Sequence, residues 1–273
     1  MGIDLFNIIG FQVTHNEVPV LSVDLASKFP EAFPVFGKVI GYDHCPNVDT
    51  TVKPVSQKLR RLPFTLREEV SKELRRLEEI DVIKKIDSSP WISNLVVAPR
   101  PSGEIRLCVD LREVSKAIIP DKYPLPSQEE LMTEFCGSTI FSKLDLRKSY
   151  LQIPLHEDSK HLSAFITRDG VFQYKRMPYG LSSAPSAFQK ILSSILSGVK
   201  GAFNIINESI VHGKDSEQYD ERLNKVLSLL NEHHLSLNTG KCLFSATEVD
   251  FFGSVLDWST PARVKCKGHF RST

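Results

Sequence analysis

The sequence predicts an α+β fold with a mixed or antiparallel sheet. Two observations carry this expectation. Short apolar stretches flank turn-forming residues at APRPSGE (98–104) and at the polar tip Asn207-Glu208, so strands are joined by hairpins. These strands alternate with stretches whose apolar residues recur at helical spacing. Strands and helices mixed in this way, with local hairpins, point to α+β.

Residues 28–56 are rich in Pro and Gly and read as a linker or extended arm. A helix follows. Thr65 with Glu68 forms a capping-box pattern, and Leu66, Val70, Leu74 and Leu77 fall on one face. Arg67, Lys72, Glu73, Arg75, Arg76 and Glu78 take the other face, and Ser88-Ser89-Pro90 ends the unit. Ile92 to Val97 and Ile105 to Val109 read as a strand pair, with Arg100 in the turn and Arg106 on the second strand. Thr139 to Asp145 is an apolar strand that ends on an acid. Ala184 to Leu196 is a helix with Pro185 in its first turn. GAFNIINESIVHG (201–213) reads as two short strands around the Asn207-Glu208 tip. Asp215 to about His233 is a helix with Leu223, Val226, Leu227 and Leu230 on one face.

Composition excludes little. The chain has 273 residues, enough for one large domain or two small ones, with 41% hydrophobic and 25% charged residues. No apolar run is long enough to span a bilayer, and the N-terminus lacks the basic start of a signal peptide. The five scattered cysteines have no metal-ligand spacing and read as reduced thiols, so an intracellular setting, cytoplasm or nucleus, is expected. A net charge of +1 argues neither for nor against a polyanionic partner, because such a partner needs only a local basic surface. Local basic runs occur at KLRRLPF (58–64), KKI (84–86) and KAIIPDK (116–122); each alone is as well explained by a solvated face.

Asp145 closes a strand and Glu208 stands at a turn. Carboxylates so placed can meet across neighbouring strands and hold two magnesium ions about 3.5–4 Å apart, which clamp the attacking and leaving oxygens of a phosphoryl transfer. Strand-end acids are also ordinary caps and turn formers, and spacing alone leaves both readings open.

Five stretches are more specific: LCVDLREVSKAIIPDKYPLP (107–126), FSKLDLRKSYLQIPL (141–155), MPYGLSSAPSAFQ (177–189), IVHGKDSEQYDERL (210–223) and LSLNTGKCLFSATEVDFFG (235–253). In this order and spacing they resemble the reverse transcriptase of gypsy-type LTR retrotransposons, over residues of about 35 to 255. The resemblance implies a right-hand polymerase fold with fingers and palm subdomains and the thumb largely absent. It divides the chain into a protease-tail remnant and linker (1–34), an N-terminal arm and fingers helix (35–90), a fingers–palm region (91–255) and a divergent tail (256–273). Such a division would make the chain a fragment of a Pol polyprotein.

The resemblance also implies roles. Asp145 would be a catalytic metal ligand, with Asn207 and Glu208 at the other metal positions. Leu146, at the nucleotide site, would offer its main-chain carbonyl to a metal, and Tyr150 would exclude a 2′-hydroxyl. Arg106, and Arg100 less clearly aligned, would hold triphosphate, and Tyr179 would pack near the nucleotide. Ile205, Phe252 and Gly253 would face the primer. The implied cofactor is Mg2+ or Mn2+, and the implied partners are RNA/DNA primer-template and dNTPs, with no membrane.

The hairpin departs from the family's Tyr-x-Asp-Asp, reading Ile205-Ile206-Asn207-Glu208. Asn207 lacks a charge; at an effective dielectric near 20 a unit pair at 4 Å is worth about 4 kcal/mol before desolvation. Glu208 keeps the charge but shifts its oxygens by about a bond length, and a misplacement of roughly 1 Å can cost a hundredfold in rate. The expectation is an RNA-directed DNA polymerase domain whose activity is impaired or lost. The alternatives are an inactive fingers–palm module that binds nucleic acid or protein, and a nonfunctional remnant.

Overall fold

Val70, Leu74 and Leu77 are buried at the helical spacing read from the sequence, on the inner face of α1 (Phe64–Glu79). In the computed structural model, which describes residues 28–32, 36–99, 105–121, 123–124, 128–251, 254–257 and 265–266, this helix leads into β1 (Ile83–Ile86), β2 (Ser93–Pro99) and β3 (Ile105–Val109). The short α2 (Arg112–Ser115), α3 (Gln128–Phe135), β4 (Ile140–Asp145), β5 (Phe165–Thr167) and β6 (Gly170–Tyr174) follow. Then come α4 (Ala184–Ile195), β7 (Ala202–Ile205), β8 (Glu208–Gly213), α5 (Ser216–Glu232), β9 (Leu243–Ala246), β10 (Glu248–Phe251), β11 (Ser254–Asp257) and β12 (Lys265–Cys266). The architecture is α+β with mixed and antiparallel sheets, as the sequence predicts.

The chain divides into two units. One contains Lys38–Tyr123 and Lys148–Phe188; the other contains the described residues up to Gly37, Pro124–Arg147, and those from Gln189 onward.

The Lys38–Tyr123/Lys148–Phe188 unit holds a five-stranded sheet in the order β1-β6-β5-β2-β3. Only β2 and β5 pair in parallel; the other neighbours are antiparallel. Helix α1 packs against β1 and β3. The capping box does not form: Pro63 occupies the N-cap with φ −51° and no side-chain cap, which draws the helix start to Phe64 and places Thr65 inside the first turn. Strand β1 was hidden in the sequence, because IKKI is too short and basic to signal a strand. It pairs with β6, and the Lys85 ammonium lies 5.9 Å over the Phe172 ring. The Pro/Gly-rich segment is an arm rather than a free linker. Val39 N–H donates to Gln152 O at 2.8 Å, His44 N–H to Pro154 O at 2.9 Å, and Gln57 N–H to Ile92 O at 2.8 Å. Buried Arg176 donates to the carbonyls of Ile80, Asp81 and Leu151, satisfying the end of α1.

The other unit is organised by an antiparallel sheet in the order β7-β8-β4-β9. Strand alternation gives it two distinct faces. Ser142 and Leu144 on β4, with Ser209, Val211 and Gly213 on β8, share one face, and α5 packs against these two strands. The Asp215 carboxylate caps α5 by accepting from Gln218 N–H at 2.9 Å. The buried Tyr219 hydroxyl meets Ser142 Oγ at 2.5 Å and accepts from Ser245 N–H at 3.0 Å. A Cβ on Gly213 would come within 2.6 Å of Tyr219 Cβ, so glycine permits this close approach.

The opposite face carries Phe141, Lys143 and Asp145 on β4 beside His212, Ile210 and Glu208 on β8. Its inner end is an aromatic cluster. The His212 ring sits 5.1 Å from Phe135, 6.0 Å from Phe203 and 6.4 Å from Phe141. Its Nδ1 pairs with Ser138 Oγ at 2.6 Å, and its buried Nε2 has no hydrogen-bond partner among the described residues. Burial, then the nearby Arg222 guanidinium, brings its pKa down to about 4. As pH falls from about 6.5, the unfolded chain protonates before the folded one, so stability drops until the folded state titrates near 4. The expected loss is about 3 kcal/mol across this window. Urea unfolding at pH 7 and pH 4 checks it: His212→Phe is expected to flatten this part of the pH profile.

Candidate functional site

The site grows from the ends of two paired strands. Asp145 is the last residue of β4 and Glu208 the first of β8, and they are direct cross-strand partners. Antiparallel partners bring side chains on one face to about 4.5–5.5 Å between Cβ atoms. The sequence expectation that these two acids meet is therefore met by register. Lys143, two residues before Asp145 on the same face, reaches Glu208 with Nζ 2.8 Å from Oε2.

The turn itself differs from the sequence reading. Ile205 pairs with Glu208 and closes the hairpin, so the two loop residues are Ile206 and Asn207 rather than Asn207 and Glu208. Ladder pairing draws Glu208 into β8. Ile206 adopts φ +52°, a left-handed conformation that a β-branched residue takes only under constraint. The constraint is Gln189 on α4. Its Oε1 accepts from Ile206 N–H at 2.7 Å, and its Nε2 donates to Asn204 O at 2.8 Å. Gln189 is 2% exposed and clamps the β7 side of the tip at two backbone groups. The Asn207 carbonyl accepts from Leu146 N–H at 3.3 Å, tying the turn to the residue after Asp145.

Asp145 is also fixed from β9's side. Its carbonyl accepts from Asn238 N–H at 2.8 Å, and its N–H donates to Cys242 Sγ at 3.4 Å. Burial pushes the Asp145 carboxyl above its usual range, while Lys241 and an Asn238 hydrogen bond pull the other way. Burial pushes the Cys242 thiol up to about 11, so it stays protonated as a packing and hydrogen-bonding group.

A pair of magnesium ions needs several anionic oxygens shared between them. Among the described residues no three His, Cys, Asp or Glu side chains group together as a metal site. Asp145 is half-buried, Glu208 is held by an ammonium, and position 207 supplies a neutral amide. This donor set does not fit two magnesium ions.

The other unit assembles three of the residues singled out from sequence. Tyr150 and Tyr179 lie 5.4 Å apart by ring centroid, and the Arg106 guanidinium lies 4.5 Å over Tyr179. Tyr150 also meets Phe188 edge-on at 5.7 Å. Gly180, at φ +92°, lets the loop after Tyr179 pass close to Val109 O. Leu146 is buried and bridges to Leu237. Arg100, Phe252 and Gly253 lie outside the described residues. Lys143, Gln189, Asn238, Lys241 and Cys242 were missed as site residues. Lys143 had a signal, its two-residue offset from Asp145; the others approach from distant segments.

Residues 97–256 match the family model described as reverse transcriptase (RNA-dependent DNA polymerase). Among curated proteins, the chain is 30% identical over 251 residues to an uncharacterized protein of Caenorhabditis elegans, K02A2.6, covering 89% of this chain and 19% of that protein. It is 34% identical over 172 residues to the Transposon Tf2-3 polyprotein of Schizosaccharomyces pombe, covering 62% of this chain and 13% of that protein. The chain thus spans about a fifth or less of these relatives. Among solved structures, it superposes with TM-score 0.76 and 20% identity on the foamy viral protease-reverse transcriptase bound to double-stranded DNA, covering 86% of this chain and 42% of that one. The same viral protein with an RNA/DNA hybrid gives TM-score 0.76 at 20% identity, covering 86% of this chain and 32% of that one.

Two substitutions test the clamp at the hairpin tip. Gln189→Leu removes both hydrogen bonds and is expected to lower unfolding free energy by about 2–4 kcal/mol, read by urea denaturation. Ile206→Gly is expected to relieve about 1 kcal/mol of backbone strain but to lose the side chain's packing on the Ile205–Ile210 cluster, leaving stability within about 1 kcal/mol of the parent.

Proposed function

From a chain that belongs to the reverse transcriptase family of RNA-dependent DNA polymerases, we propose a polymerase domain of a retrotransposon polyprotein whose nucleotidyl transfer is impaired or lost while its fingers–palm scaffold persists. In this reading the unit with the β7-β8-β4-β9 sheet is the palm, and the unit with the five-stranded sheet is the fingers. The ligand class is RNA/DNA primer-template, the class bound by the viral reverse transcriptase of similar fold. The observation that carries the reading is the hairpin: Asn207 is neutral, and Glu208 pairs with Lys143 at 2.8 Å beside Asp145.

Reverse transcriptases use divalent metal ions, and this donor set does not fit a pair of them. The residues retain other tasks. The Asp145–Glu208 register and the Gln189 clamp hold the hairpin rigid. Tyr150 and Tyr179 form an aromatic floor, and Tyr150 has the bulk to oppose a 2′-hydroxyl on an incoming sugar. Arg106, exposed on β3 and stacked on Tyr179, offers a guanidinium to phosphate oxygens. Such a domain binds nucleic acid more readily than it extends it.

Primer extension on poly-rA with oligo-dT, with magnesium and then manganese, tests this. The expected result is little or no extension from folded protein, and an increase of about a hundredfold or more with Asn207→Asp combined with Glu208→Asp. Robust extension by the parent that disappears in Asp145→Asn overturns the reading.

A further inference from the structure

Strand β4 brings a cation to the face of the two acids. Lys143 stands two residues before Asp145, and its direct partner on β8 is Ile210, so Glu208 lies diagonally across the ladder. Diagonal neighbours stand about 7–8 Å apart, a span that a lysine stem and a glutamate together can close. Here they close it, with Nζ 2.8 Å from Oε2. The lysine side chain is 21% exposed and the glutamate 36%, so salt screens this pair less than an open surface pair. An aspartate at 208 would hold its carboxylate one C–C bond, about 1.5 Å, further back. The extra methylene of Glu208 is what lets the ammonium make direct contact.

The register creates the need for a cation. Asp145 and Glu208 are direct cross-strand partners, and like charges so placed repel. Burial also works against the Asp145 charge, whereas Lys241 and Lys143 work for it. Two carboxylates thus face two ammonium groups, and the four charges sum to zero with no bound ion. In a magnesium site the neutralising charge comes from the metal, which oxygen ligands surround. Here it comes from side chains, one of them on the same strand as Asp145. An oxygen that a metal would take from Glu208 is already bonded to Nζ, and a divalent ion entering beside it meets a positive charge.

We propose that the Lys143 ammonium is the resident cation of the Asp145–Glu208 pair and keeps divalent metal ions out of the hairpin tip. This exclusion deepens the proposed loss of nucleotidyl transfer and rests on that reading: the tip is closed by a tethered charge as well as short of ligands. Two consequences separate such a role from that of an ordinary ion pair. The parent fold gains nothing from magnesium. Removing one lysine opens a site for a single divalent ion although no carboxylate is added, because such an ion needs only one or two carboxylates with water completing its shell.

Mn2+ binding to the whole chain, read from loss of the free-ion electron paramagnetic resonance signal, tests the proposal. Lys143→Met is expected to bind Mn2+ about thirtyfold more tightly than the parent, the equivalent of the roughly 2 kcal/mol repulsion between an ammonium and a divalent ion about 4 Å apart at the dielectric of water. Adding Glu208→Gln to Lys143→Met is expected to abolish the gain, which assigns the ion to the acid pair rather than to other carboxylates. Lys143→Arg keeps the charge and is expected to bind like the parent. Thermal unfolding reports the folding of each variant, and Lys143→Gln repeats the test with a polar side chain should the methionine variant fail to fold. In the parent itself, magnesium is expected to leave the unfolding temperature unchanged, since only an ion bound by the native state raises it. A folded Lys143→Met or Lys143→Gln chain that gains no Mn2+ affinity overturns the proposal and leaves the loss of transfer standing. Mn2+ binding or magnesium stabilisation of the parent that Glu208→Gln removes also overturns it. Where magnesium-dependent primer extension accompanies that binding, the proposed function falls as well.

Discussion

The pairing of Asp145 with Glu208 at the ends of β4 and β8 is the constraint on which the site depends. Side chains on neighbouring strands alternate with period two. Once this register is set, Lys143 and Phe141 must share the face of the two acids, and Ser142 and Leu144 must turn toward α5. The same choice places Ile210 and His212 on the acid face of β8 and Gly213 against Tyr219. A one-residue slip of β4 would send Asp145, Lys143 and Phe141 together to the helix-covered face and turn Ser142 and Leu144 away from α5. The core and the chemistry are therefore specified by one ladder.

Around that ladder the hairpin is held by several hydrogen bonds. Gln189 bonds two backbone groups of the tip, the Asn207 carbonyl is bonded to Leu146, and Asn238 and Cys242 fix the Asp145 backbone. Ile206 at φ +52° shows that this surrounding structure overcomes local preference. Loss of chemistry at such a tip need not loosen the scaffold, because the interactions that shape it are backbone hydrogen bonds and apolar packing. Position 207 carries no charge, and the Glu208 carboxylate pairs with Lys143 rather than shaping the turn.

The two units also divide the physics of recognition. The sheet β7-β8-β4-β9 presents carboxylates balanced by lysines, so its tip has little net charge to offer a polyanion. The unit bearing α1 carries exposed guanidinium and ammonium groups, with Arg106 stacked on Tyr179 and Arg67 on Phe64. Affinity for a phosphate backbone follows local cation density rather than the chain's average charge of +1.

Much of the fold was legible because periodicity survives any tertiary context. The faces of α1 and α5 and the β2–β3 strand pair follow from spacing and side-chain type alone. The conjunction of Asp145 with Glu208 was legible too, because an acid ending one strand and an acid at a hairpin restrict the pairings available. Other features required the folded chain. Strand β1 forms from IKKI because β6 offers it a ladder, which no local propensity announces. The turn moved to Ile206-Asn207 because cross-strand pairing and Gln189 together outweigh the preference of polar residues for tips. Cys242 and Asn238 joined Asp145 from a segment almost a hundred positions away along the chain. Sequence determines what is encoded in neighbouring residues, namely periodicity, caps and the chemical type at each position. Tertiary structure decides which distant groups share a hydrogen bond or a charge, because those depend on the path of the whole backbone.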